Sequence, residues 1–288
     1  MAPELIGLAL ACGASFLFYS GLALQAVEAR EVPVEHAMRL SLLGQLVRRP
    51  RWLLGSALVL AGFPAQVLAL GFAPLTLVQP ALAAGLVLLL AIGARYLGER
   101  VGAREMLGVG LMVVGVTALV GLSPVQSDSR PEALPAALVL VVVGLGALSP
   151  LLGSRRTDAR GLIVAVGAGL AYAWAGLATK LISIEWRAGN LALVLLWAGA
   201  TAAAAGLAVL AESSALQRRP ATQVGPVVIV VDILVAVVVS PLLTGEDWRD
   251  TPLAGGALLA AALVVVAGTA MLASSRAVAG AVGDQHLG

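Results

Sequence analysis

The chemistry this chain can do is concentrated in a few polar residues set inside long apolar runs. Asp232 lies in VVIVVDILVAVVV, an apolar stretch with no second charge near it. A carboxylate at the centre of a bilayer costs about 3 kcal/mol on insertion scales, so such a residue faces the interior of a helix bundle and binds a cation or a proton. The structural reading of the same residue is a protonated acid that ties two helices together by a hydrogen bond. Two Thr and Pro pairs share one spacing, Thr76 with Pro80 and Thr222 with Pro226. Proline has no N–H, so in an already formed helix each frees the carbonyl of the threonine four residues earlier, which then offers a carbonyl and a hydroxyl. If the prolines instead sit in first helical turns, they are only start signals.

The elements that must position these groups carry a repeat. Residues 69–80 (ALGFAPLTLVQP) and 215–226 (ALQRRPATQVGP) match at six of twelve places, 146 positions apart and without a gap. An Ala- and Leu-rich background should supply about one or two such matches. Gly7 to Gly13 and Gly161 to Gly167 repeat a six-residue spacing, and YLGER (96–100) is echoed by LTGED (243–247). Each twelve-residue phrase opens a long apolar run.

Composition makes those runs membrane spans. The chain is 60% hydrophobic and 12% charged with mean hydropathy +0.98, which no soluble surface of 288 residues accommodates. Nine spans fit a core roughly 30 Å thick: 5–27, 52–72, 74–96, 106–122, 134–152, 161–184, 191–211, 222–243 and 252–273. Loops on one side hold fourteen basic residues and those on the other only Arg130, Arg187 and Arg249. By the positive-inside rule the N-terminus is outside and the C-terminus cytoplasmic. The two phrases then start from opposite faces, the inverted arrangement found in many secondary transporters. The chain divides into a first half (1–124), a linker span region (125–160), a second half (161–275) and a polar tail (276–288).

Several alternatives narrow at this point. The pI near 9.1 reflects short loops between apolar runs rather than a nucleic-acid surface. Cys12 is the single cysteine, and His36 and His286 stand far from other metal ligands, so neither a disulfide nor zinc chemistry is indicated. No nucleophile and base pair shares a site and no phosphate loop exists, so the chain reads as no enzyme and no ATP-driven pump, with no cofactor. MAPE lacks the basic residues of a signal peptide, and residues 5–27 are expected to stay as a span. Residues 28–51 are expected to lie in the headgroup plane as an amphipathic helix with Val34, Ala37, Met38, Leu42 and Leu46 on one face. Were they to cross, there would be ten spans and Arg39 would sit at costly depth. Lys180 is expected to snorkel to the interface, and Trp52, Trp186 and Trp248 to anchor there. Gly108, Gly110 and Gly115 let helices approach.

At the phrases just quoted the sequence resembles the drug/metabolite transporter superfamily (EamA-like), whose halves each hold a Pro-bearing helix running to a GER-like end and then a Gly-rich helix. Residues 71–124, from GFAPLTLVQP through YLGER to GLSP, look like its NIPA-type magnesium transporter branch, as does EDWRDTP (246–252). The resemblance implies alternating access and a central cavity. It also implies that Gln66, Gln79, Tyr19, Tyr172 and Trp174, with Gln25, line that cavity, where aromatics can hold an organic cation. The branch tends to carry Gly-Glu-x-x-Asn before its proline phrase, where this chain reads Gly62, Phe63, Pro64, Ala65, Gln66 and lacks the carboxylate.

Three functions stay open. The first is a secondary transporter of a small polar solute, such as a metabolite or drug, with Asp232 as proton-coupling group. The second is a magnesium carrier in which Asp232 and the Thr76 and Thr222 carbonyls meet an ion that keeps most of its waters. The third is a non-transporting scaffold, against which the matched prolines argue. The expected setting is a bacterial plasma membrane with the lipid bilayer as partner, a homodimer being one of the open oligomeric states.

Overall fold

The computed structural model describes residues 3–73, 75–99, 101–122, 133–152, 160–244 and 252–274. In hydrocarbon every backbone N–H and C=O must find a partner within the segment, and apolar runs of this length do so as helices. The helices are α1 (Pro3–Arg30), α2 (Leu40–Leu46), α3 (Pro50–Phe72), α4 (Leu75–Ala84), α5 (Leu86–Tyr96), α6 (Ala103–Leu122), α7 (Ala133–Leu152), α8 (Arg160–Arg187), α9 (Leu191–Leu216), α10 (Ala221–Thr244) and α11 (Gly256–Ala273). Among the described residues eight helical stretches are long and apolar enough to cross a membrane, and Ala136–Leu151 of α7 is a shorter apolar helix. The protein is an all-α polytopic membrane protein.

The third apolar stretch is interrupted where the sequence suggested one continuous span. α4 ends at Ala84 and α5 begins at Leu86, with Gly85 between them. The N–H of Gly85 bonds the Leu82 carbonyl at 3.1 Å, and the Ser15 hydroxyl of α1 donates to the same carbonyl at 3.3 Å. A Cβ at Gly85 would stand 1.6 Å from the Ser15 Oγ and 2.7 Å from the Tyr19 ring, so this close approach requires glycine.

Residues 31–49 do not cross. α2 spans seven residues, about 10 Å at 1.5 Å per residue. Its apolar face is not given to the headgroups as expected. Leu42 and Leu46 are fully buried against Val32, Trp52 and Leu210, while Leu40 faces outward. Trp52 therefore packs inside the protein instead of anchoring at the interface, because α2 folds back over the start of α3. Trp186 is exposed; Trp248 lies outside the described residues. Arg49 pins this segment, donating to Glu28 at 2.8 Å and to Glu31.

The helices pair in corresponding ways at the two ends of the chain. α1 lies along α3, and α8 along α9; α1 also packs on α4 and α5, and α8 on α10. α6 touches α4, α11 touches α10, and α6 and α11 lie against each other. The last pair meets backbone to backbone. A Cβ on Gly108 would fall 2.9 Å from the Gly268 carbonyl oxygen, and one on Gly268 would fall 2.6 Å from that of Gly108. Gly115 meets Val265 and Ala261 in the same seam, whereas Gly110 faces open space. Small residues thus serve close packing at Gly108 and Gly115.

Candidate functional site

The proline phrases occupy identical places in their helices. α4 begins at Leu75 and α10 at Ala221, 146 residues later, so Pro80 and Pro226 are each the sixth residue of a helix. That is past the first turn, and a helix is already formed at the positions whose carbonyls lose a donor, Thr76 and Thr222. Pro80 and Gln79 are half-buried and Pro226 is buried. The Thr76 side chain lies outside the described residues, as does that of Lys180.

Thr222 has a partner that the sequence did not announce. Its N–H and its hydroxyl both reach Oε2 of Glu99, at 3.1 and 2.6 Å, so the hydroxyl is committed to a carboxylate rather than presented to a solute.

Asp232 is half-buried in the middle of α10, close enough to Tyr172 of α8 for its charge to act on the phenol. The Tyr172 hydroxyl donates to Oε2 of Glu212 at 2.9 Å. Tyr172 is therefore bonded to a carboxyl group of α9, and its helix packs on α10, which carries Asp232. Sequence reasoning named Asp232 and Tyr172 separately and missed Glu212, because it ended the seventh span at Ala211. The helix continues to Leu216, with Ser213, Ser214, Ala215 and Leu216 all buried. The repeat held the signal: Glu212 lies 146 positions after Gln66, in register with the two phrases.

The other expected lining residues are spread more widely. Tyr19 is buried in the main core beside the α4–α5 break, and Gln66 is half-buried on α3. Gln25 donates to the Ser56 hydroxyl at 3.0 Å and so joins α1 to α3. Trp174 donates its indole N–H to the Leu140 carbonyl at 2.9 Å and lies 6.5 Å from the Trp197 ring, which commits it to packing of α8 against α7 and α9. Among the described residues no three His, Cys, Asp or Glu side chains gather as a metal cage.

Residues 3–143 match the family model described as Magnesium transporter NIPA. The first half of the chain is NIPA-like. The matched segment runs from α1 into α7 and holds both Pro80 and the α4–α5 break, while Asp232, Tyr172 and Glu212 lie beyond it. An uncharacterized protein of Corynebacterium glutamicum is 25% identical over 204 residues, covering 69% of this chain and 70% of that protein. No solved structure matches the chain at a significant level.

Proposed function

We propose that the chain is a secondary transporter that carries a small cation across the membrane by alternating access between its two halves. The observation that carries this is the Glu212–Tyr172–Asp232 group. Two carboxyl groups, one bonded to the Tyr172 phenol and one on the helix packed beside it, inside helices apolar enough to span a bilayer, require positive charge to offset them, as a cation or as protons. A NIPA-like first half supports magnesium as the ion to test first. With no cage of three ligands among the described residues, an ion at this point keeps most of its water, as magnesium does readily. The matched pairing of α1 to α6 with α8 to α11 supports two inverted halves in the manner of secondary transporters, with Tyr172, Glu212 and Asp232 contributed by the second. The corresponding orientation is an outside N-terminus and a cytoplasmic C-terminus in a bacterial plasma membrane.

A second reading, a polar organic solute moved in exchange for protons through the same carboxyl groups, makes a different prediction. Purified protein in liposomes separates them. Magnesium uptake that saturates and is lost in Asp232→Asn supports the ion carrier. Flux of a metabolite that depends on a proton gradient, with no magnesium movement, replaces it with the second reading. No flux of any tested solute above empty liposomes would overturn both.

A further inference from the structure

Among the described residues Glu99 is a fully buried carboxylate placed between the two halves, with a side chain of 0% exposure. It follows α5 at a turn made by Gly98, whose φ of 66° favours glycine. The Glu99 N–H bonds the Gly93 carbonyl at 2.9 Å, which folds the turn back on its own helix. Its carboxylate lies over Gly93 of that helix and reaches the start of α10. Oε1 accepts the Ala221 N–H at 2.9 Å and the Arg30 guanidinium at the end of α1. Oε2 accepts the Thr222 N–H at 3.1 Å and the Thr222 hydroxyl at 2.6 Å. Four donors therefore satisfy one buried charge, and two of them are N–H groups that the first turn of α10 cannot use internally. The helix dipole adds attraction for the negative charge at the same place.

The fit around this carboxylate is tight. A Cβ at Gly93 would stand 2.7 Å from Thr222 Cγ2 and 2.9 Å from Glu99 Oε2. Neighbouring contacts bind the same end of the bundle: Gln217 donates to the Val32 carbonyl at 2.9 Å, and the Met38 N–H to the Ser214 hydroxyl at 2.9 Å. Here the cap comes across from the other half, 122 residues away, and brings Arg30 with it.

We infer that Glu99 is a latch: its carboxylate holds α10 to the first half at this end of the bundle, and the end opens only when Glu99 leaves the first turn of α10. Asp232 is the twelfth residue of α10, about 16 Å along the axis from that turn, so the latch controls approach to it from this side. This rests on the alternating-access reading proposed above. The cost of opening is large because the three α10 donors must be given up together, leaving the buried carboxylate with Arg30 alone.

Cysteine accessibility tests the latch without knowledge of the solute. On a Cys12→Ser background, a single cysteine replaces Val224 near the start of α10 or Val78 at the corresponding position of α4, both 0% exposed. Impermeant maleimide is added to oriented vesicles from one side or the other. With Glu99 intact, the residue-224 cysteine reacts slowly from the Glu99 side. Glu99→Gln removes the charge and leaves one acceptor oxygen for the α10 donors, and labelling is expected to rise about tenfold from that side. Thr222→Val removes only the hydroxyl and is expected to give a smaller rise, about threefold; it decides the matter if Glu99→Gln does not fold. Unchanged labelling of residue 224 in folded Glu99→Gln and Thr222→Val would overturn the latch. A rise at residue 224 with a fall at residue 78 from the opposite side supports latch and alternating access together. A rise at 224 with no change at 78 supports the latch and overturns alternating access.

Discussion

At the scale of single residues, the site depends on charge held where water is scarce. Glu212 accepts the hydrogen bond of the Tyr172 phenol, whereas Asp232 lies on the neighbouring α10, so the two acids are not equivalent. Asp232→Asn keeps the shape and removes the charge. We expect cation flux to fall at least about tenfold, the equivalent of about 1.4 kcal/mol, while the protein remains monodisperse in detergent. If the carboxyl takes up and releases a proton in each cycle, flux depends on pH and the Asn variant flattens that profile. Asp232→Glu should restore part of the flux for an ion carrier. Normal flux in Asp232→Asn at every pH would reduce the residue to a packing contact. Tyr172→Phe deletes only the hydroxyl and frees Glu212; ion affinity should drop several-fold with little loss of stability, which a magnesium titration of the initial rate resolves.

At the scale of elements, helices are interrupted where the solute route is proposed. Pro80 and Pro226 each break one intrahelical bond at the same step of α4 and α10, and Gly85 divides α4 from α5. Restoring the bond by Pro80→Ala or Pro226→Ala should stiffen the helix and slow transport several-fold without unfolding it, a combination checked by flux beside melting temperature. Equal flux in both variants would make the phrase a start signal. Gly85→Ala meets Ser15 Oγ and the Tyr19 ring, so we expect a loss of about 1–3 kcal/mol from overpacking, read as a lower Tm. Gly108→Leu should cost a similar amount by forcing α6 from α11, whereas Gly110→Leu, which meets open space, should be tolerated.

At the scale of the whole molecule, the charge bias and the repeat make one prediction about orientation. Asn190, exposed in the turn between α8 and α9, lies on the side proposed to be outside, and Glu35, exposed between α1 and α2, on the side proposed to be inside. On the Cys12→Ser background, a cysteine at residue 190 should react with impermeant reagent added to intact cells, and one at residue 35 only after permeabilisation. The reverse pattern would invert the topology and place the Glu99 latch at the outer face. Residues 125–131 and 245–250, where the sequence also predicts outer loops, lie outside the described residues.

The helices themselves were legible in the sequence, because a bilayer leaves a long apolar run almost no alternative to satisfying its backbone internally. The predicted spans agree with the described helices to within a few residues at most ends, and Asp232 announced itself by being an acid in a run of valines. The repeat also places Pro80 and Pro226 in the same register. What hydropathy could not show was which polar residues near span ends turn inward. Glu212 looked like a loop residue until α9 continued past it to Leu216. Glu99 looked like the polar end of a helix until the first turn of α10, far along the chain, arrived with two N–H groups and a hydroxyl. α2 looked like a helix for the headgroups until Leu42 and Leu46 found Val32, Trp52 and Leu210. Periodicity and hydropathy are properties of one segment, so they determined where the long apolar helices form. The partner of a buried charge is a property of two segments brought together, and only the tertiary packing decided it.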